Sequence, residues 1–414
     1  LAFGLFLTST AQPGVGHAAA PPNTVIQWNA DMLAAFATAN VPPPAANRLG
    51  GIVQAAVFDA VNGIEGRYTP IHVAPDAAPD ASPQAAAASA SYTALVALFP
   101  AQKPALDSEL AASLRAMDDD EDGQAVTNGM AWGASVADQI LAWRSTDGFS
   151  AAPPPYVFSS DVGQFQPTPG GSGPPKFRTL ATTVPFAMSS PSEFRPAGPP
   201  ALTSARCAQD FDEVKSVGAL NSATRTPDQT ETATFWQLDT PVAMWDRVAD
   251  QLLIENHRNL LQSARVLALT NISITDAIIA IFDAKNFYNT WRPVTAIVGA
   301  NLDGNAATAP DASWLPLMTT PYFQEYPSAH SGTSSAAAAT LASFFGANAT
   351  FTVTSAGLPG VERTFTSFRD AVAQVEDARV YAGFHFRFSC EDANAVGAHV
   401  SEAVLTRLIR PAGD

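Results

Sequence analysis

Cysteine is nearly absent from this 414-residue chain. Only Cys207 and Cys390 occur, and they suggest no metal site. One disulfide and two unrelated buried thiols both remain open, because spacing alone cannot show proximity. Positive charge is also scarce. Lys and Arg number 22 against 38 Asp and Glu, a formal net charge of −16, and no Lys/Arg run appears. That argues against nucleic acid and anionic membranes as partners, so an anionic ligand must be held by a few placed cations. Long apolar runs are missing too. Leu1–Leu7 is too short to span a bilayer, and no later stretch reads as a membrane helix. With Ala18–Ala20 behind it, that start reads as a signal-peptide remnant over residues 1–20, so the expected location is secreted or periplasmic. No internal repeat of fixed period is present. What remains, 47% hydrophobic and 14% charged residues, suffices for one large domain or two ordinary ones.

The patterning is mostly α. Apolar residues at three- and four-residue spacing predict helices over 25–40, 47–63, 82–98, 105–118 and 125–143, giving an N-terminal helical bundle over 21–148. Residues 149–202 are rich in proline, which prevents regular structure. Interspersed Tyr156, Phe158, Phe165, Phe177 and Phe186 favour a packed wrap over a loose linker. Residues 203–414 read as a second helical bundle, with helices expected over 205–217, 227–238, 241–264 and 274–290. One small β-hairpin is expected from the alternation in 350–354 and 363–368. Ser367 with Asp370 forms a capping-box pattern, and Ser389-Cys-Glu-Asp392 offers a second one, opening the last helix.

The chemistry gathers late in the chain. Tyr326-Pro-Ser-Ala-His-Ser-Gly332 puts a hydroxyl, a free backbone N–H and an imidazole at a helix mouth, a ready site for a tetrahedral oxyanion. The helix runs through small residues to Gly346, a normal stop. Three cations fall where a helix is otherwise greasy. Lys285 lies on the face of Ile278 and Ile281, Arg292 comes two turns later before Pro293, and Arg379 shares a face with Val372 and Val375. Such charges are costly unless an anion or a hydrogen-bond set compensates them. The plain alternative is snorkelling or local pairing, with Glu376 and Asp377 at hand for Arg379. His385 follows Arg379 by six positions, which do not share a helix face, so Gly383 is expected to end that helix and turn the imidazole back. For His385 the plain alternative is packing between Phe384 and Phe386. His17, His72, His257 and His399 have no comparable setting.

Lys285-x6-Arg292-Pro293, then Pro327-Ser-Ala-His330, then Arg379-x3-Gly383-x-His385 resembles the three-part signature of the vanadium-dependent haloperoxidase and type 2 phosphatidic acid phosphatase superfamily. Gly383–Phe388, the Arg48–Pro70 segment and Arg225–Glu231 are similar to the bacterial haloperoxidase-like branch. The resemblance implies that Lys285, Arg292 and Arg379 neutralise vanadate oxygens. Ser328 and the Ala329 N–H would donate hydrogen bonds, His385 would bond the metal, and His330 would act as acid–base toward peroxide. Three positions depart from the pattern. Ala329 replaces a Gly, and a positive φ there would be strained. Ala378 replaces a Ser, and Ser389 stands where an Asp would orient the histidine. Asp228 could support His330 from another helix, but the favoured reading is a surface acid.

The resemblance therefore implies a vanadate-dependent haloperoxidase oxidising halide with hydrogen peroxide and passing the product to a small organic acceptor, with a homo-oligomer left open. Phe323 would line the halide side. A secreted, metal-free acid phosphatase using His385 as nucleophile, and a non-catalytic oxyanion-binding protein, are the alternatives.

Overall fold

A computed structural model describes residues 23–117 and 122–413; the expected leader lies outside them. The described residues include thirteen α-helices: α1 Thr24–Thr38, α2 Pro43–Glu65, α3 Pro83–Leu98, α4 Lys103–Met117, α5 Gly123–Ser145, α6 Ala205–Val217, α7 Pro227–Gln237, α8 Pro241–Glu255, α9 Leu260–Tyr288, α10 Pro293–Val298, α11 Ala329–Phe345, α12 Phe368–Tyr381 and α13 Arg387–Arg407. Their starts follow local chemistry. Proline, which has no N–H to waste, opens α2, α3, α7, α8 and α10. Ser82, Asp122, Ser204, Thr226, Thr240, Asn259 and Ser367 each accept an amide of their own first turn. The one sheet among the described residues is an antiparallel hairpin, β1 Phe351–Thr354 with β2 Glu362–Phe365, pairing Phe351 with Phe365 and Thr354 with Glu362.

The core forms around α9. Twenty-nine residues long, it is buried along nearly its whole length, with α2 on one side and α11 and α13 on another. Thr275 of α9 donates to Asn47 O of α2 at 2.8 Å. Contrary to the sequence reading, α9 is long and apolar enough to cross a membrane, but 94% of its most apolar stretch lies inside the protein. The expected break was also misplaced. The chain bends at 256–259, where His257 takes φ 50° and Asn259 forms a capping box with Gln262. One helix then runs unbroken to Tyr288 instead of starting at 274.

The proline-rich segment is a packed wrap. Phe165 is fully buried, and apart from a short 3-10 turn, Arg178–Thr182, the segment has no helix. It is tied to α9 by Asp276, whose carboxylate accepts the amides of Phe186, Ala187 and Met188 at 2.7, 2.7 and 3.1 Å. Cys207 and Cys390 are both buried and unpaired, so the disulfide alternative is not realised.

Candidate oxyanion and vanadate site

The helix mouth is built as its residues dictate. Ser328 is the N-cap of α11, yet its hydroxyl caps no amide; it accepts from Ser331 Oγ at 3.0 Å. The Ser328 N–H donates to Ser389 O at 3.0 Å, tying the mouth to α13, and Gly332 N–H is the amide that returns to Ser328 O. As the first residue of a helix, Ala329 has an N–H with no intrahelical partner. It is not among the positive-φ residues, so the expected strain is absent. Close packing of α13 holds α11 in place: a Cβ at Gly397 would fall 2.2 Å from Gly332 O.

The three cations arrive by different routes. Lys285, on α9, is fully buried, and its Nζ donates to Gln324 O and Glu325 O, both at 2.8 Å. Arg292 is not on the same helix. Asn289 turns the chain with φ 50°, and Arg292 becomes the N-cap of α10. Its Nε donates to Phe323 O at 2.7 Å and its Nη1 to Phe384 O at 3.0 Å, while Nη2 is buried without a partner. Arg379, in the last turn of α12, donates from Nη1 to Gln237 Oε1 at 2.5 Å and leaves Nε unpartnered. Neither neighbouring acid neutralises it. Asp377 pairs with Arg387 at 2.6 Å, and Glu376 contacts Asn394. Burial lowers Arg292 to about 9 and Arg379 to about 10, so both stay charged at neutral pH. Burial, reinforced by Arg292, depresses Lys285 well below its ordinary value.

Gly383, at φ 78°, ends α12 and turns His385 inward, as expected. His385 is 2% exposed, and Arg292 Nη1 lies 3.1 Å from its Nε2. Its Nδ1 lies 2.8 Å from Glu325 Oε1 and 3.4 Å from Ser389 Oγ. A guanidinium only donates, so Nε2 is the acceptor and Nδ1 carries the proton toward Glu325. His330 leaves Nε2 buried without a partner. Burial, reinforced by Arg379 and Lys285, pushes His330 well below the usual histidine range. Burial and Arg292 do the same to His385. Both imidazoles are therefore neutral at neutral pH.

Ala329, His330, Arg379 and His385 share the wall of one cavity of about 550 Å3 with Phe323, Gln237 and residues of the wrap. Lys285, Arg292 and Ser328 stand around that wall through the bonds just described. The decisive feature is the set of unpartnered nitrogens, Arg292 Nη2, Arg379 Nε and His330 Nε2. An oxyanion would satisfy the two guanidinium donors, with His330 Nε2 beside it to exchange a proton, so the set fits vanadate.

Residues 265–413 match the family model of the VCPO second helical-bundle domain. The vanadium chloroperoxidase of Curvularia inaequalis is 27% identical over 248 residues, 48% of this chain and 40% of that protein's length. A bacterial vanadium-dependent iodoperoxidase structure superposes with a TM-score of 0.81 at 23% identity, covering 94% of this chain and 97% of that one. The holo form of a bacterial vanadium-dependent chloroperoxidase gives 0.70 at 17% identity, covering 88% and 91%. Residues 265–413 thus carry the vanadium chloroperoxidase second helical-bundle pattern, and the chain as a whole shares the fold of these haloperoxidase structures.

One sequence reading of the site needs correction. Ser389 does not cap α13, which begins at Arg387 behind Phe386; it lies inside the first turn. Asp228 is a surface acid paired with Arg363 at 3.1 Å, the favoured of its two readings. Glu325 was missed, although it is 1% exposed and bonds His385 directly. Its only sequence signal is a carboxylate in a stretch, 312–328, that holds no other charge. Phe323 lines the cavity as expected, and also packs on Phe282 at 5.3 Å.

Proposed function

We propose that this protein is a vanadate-dependent haloperoxidase that uses hydrogen peroxide to oxidise halide to a hypohalous-acid-like species, which halogenates a small organic acceptor. The observation that carries this reading is the pair of unpartnered nitrogens, Arg379 Nε and His330 Nε2, on residues lining one cavity with His385, beside which Arg292 is bonded to the His385 ring with its own Nη2 unpartnered. Arg292 and Arg379 would hold the oxyanion by charge-assisted hydrogen bonds, and Lys285 adds positive charge from behind the 324–325 backbone. His385 presents the Nε2 lone pair as the ligand atom. His330, neutral and unpartnered at Nε2, takes a proton from the incoming peroxide and returns it to the departing oxygen. Vanadate, when bound, supplies Lewis-acid activation of peroxide without changing oxidation state. The cavity volume falls in the range of small-molecule sites, which supports an organic acceptor beside the halide. The apolar start and Ala18–Ala20 support an exported location.

One observation favours a second reading. A histidine with a carboxylate behind Nδ1 and an unprotonated Nε2 is also the arrangement of an activated nucleophile. In that reading Nε2 would attack phosphorus, the P–O bond to the leaving group would break, and His330 would relay a proton from solvent to the departing oxygen. Assaying one preparation for vanadate-dependent halogenation with peroxide and for phosphomonoester hydrolysis separates the two. Halogenation that disappears in His385→Ala, with the fold intact by circular dichroism, is the expected result. Hydrolysis without halogenation reverses the ranking. Neither activity, with tight phosphate binding, makes the protein an oxyanion binder.

A further inference from the structure

We propose that Glu325 is the positioning residue for His385, holding the imidazole at the cavity wall with Nδ1 protonated and Nε2, beside Arg292, left as the ligand atom. The acid comes from the loop before α11, not from α13, the helix on which an aspartate four residues past the histidine would sit. The role rests on the vanadate reading of the site.

Four observations converge on it. Glu325 Oε1 lies 2.8 Å from Nδ1, against 3.4 Å for Ser389 Oγ, so the carboxylate is the closer partner. The same oxygen accepts the Phe386 N–H at 3.1 Å, which anchors it independently of the imidazole. The loop itself is clamped from behind, since Lys285 Nζ binds the carbonyls of Gln324 and Glu325. On the far side of the ring, Arg292 Nη1 donates to Nε2 at 3.1 Å and to Phe384 O, which fixes which nitrogen is protonated. Lys285 thus reaches the ligand mechanically as well as electrostatically: it sets the backbone that aims Glu325, which aims His385.

The proposal separates from simple electrostatics by sign. Removing a negative charge from beside three cations strengthens the field on any oxyanion. Phosphate bound as a tetrahedral anion makes no bond to the imidazole nitrogen, whereas vanadate accepts a fifth ligand. Loss of a partner behind a metal-ligating histidine typically weakens metal affinity about 10–100-fold.

The test titrates wild type, Glu325→Ala and Glu325→Gln separately with vanadate and with phosphate, after melting each variant to confirm folding. In Glu325→Ala, vanadate affinity falls roughly 10–100-fold while phosphate affinity is unchanged or rises. Glu325→Gln is intermediate, because an amide oxygen still accepts from Nδ1–H but without charge. Vanadate affinity that stays at the wild-type level, or a parallel loss of both anions, overturns the proposal. Histidine-labelled NMR of the ligand-free protein gives an independent arm. A downfield Nδ1–H resonance, assigned with His385→Ala, is present in wild type and Ser389→Ala and lost in Glu325→Ala. Its survival in Glu325→Ala also overturns the proposal. A wild type that binds phosphate but not vanadate sinks the haloperoxidase reading instead, while the proton resonance still judges the hydrogen bond.

Discussion

Arg379 offers the sharpest test of whether the buried cations exist for a ligand or for the fold. Consider Arg379→Met, which keeps an unbranched apolar stem. In the ligand-free protein Arg379 has no carboxylate partner, one hydrogen bond to Gln237 and a guanidinium 4.9 Å from the Phe384 ring. Burial lowers it from 12.5 to about 10, which corresponds to roughly 3 kcal/mol against the charged form. Losing the charged hydrogen bond costs about 1.5–3 kcal/mol and losing the ring contact about 1–2 kcal/mol. These contributions nearly cancel, so ligand-free stability is expected within about 2 kcal/mol of wild type. Breaking a true buried ion pair would instead cost about 3–5 kcal/mol. Oxyanion affinity should behave differently, because one charged hydrogen bond to the ligand is worth about 1.5–3 kcal/mol, on the order of 10–150-fold. Thermal unfolding with and without phosphate reads both quantities. At a concentration near 100 times the wild-type Kd, ligand stabilises wild type by about 2.7 kcal/mol, and a tenfold loss of affinity halves that gain. An unchanged phosphate response, or a ligand-free variant more than about 3 kcal/mol less stable, refutes the assignment of Arg379 to the anion.

Asp276→Ala removes the acceptor for three amides of the wrap; a loss of about 3–5 kcal/mol is expected, with faster proteolysis near residue 187, by melting and limited digestion. Asp250 is raised to about 7 by burial, so the folded state retains a proton that the unfolded state releases near pH 4. Its contribution therefore falls as pH rises across that window, and Asp250→Asn should gain stability relative to wild type between pH 5 and pH 8, at no more than about 1.4 kcal/mol per pH unit. The two thiols should leave intact mass unchanged on reduction and react with alkylating agent only after unfolding, since both are buried and free. His330→Ala should abolish turnover yet leave vanadate binding within about tenfold of wild type, because the lost group would move protons and His385 would hold the ligand.

Much of this fold was legible because it rests on local rules. Proline at N1, side-chain caps and three-to-four-residue periodicity placed most helices, and alternation placed the hairpin. The 256–259 bend was misread because Leu252 through Leu261 keeps apolar residues on either side of it; the stop lies in His257 and Asn259, polar residues that read as ordinary helix surface. Arg292 shows a related failure. Seven residues after Lys285 is two helical turns only if the helix continues, and Asn289 in the left-handed region stops it. The arginine still reaches the site because the turn brings it back against Phe323 and Phe384.

The site was legible where one residue type can do only one thing in a greasy setting, as with the cations at 285, 292 and 379. Glu325 was not, because its meaning depends on a partner 60 residues away. Ser389, which stands where an aspartate would orient the ring, leaves its hydroxyl 3.4 Å from Nδ1, while a loop held by Lys285 delivers a carboxylate to 2.8 Å. A lysine that sequence assigns to the ligand is, in the folded protein, bonded to the backbone that carries the acid. Lys285→Met should therefore weaken vanadate binding more than phosphate binding, because it loosens the aim of His385 as well as removing charge. If both anions lose equally, Lys285 acts through charge alone and the mechanical link from α9 to His385 is wrong.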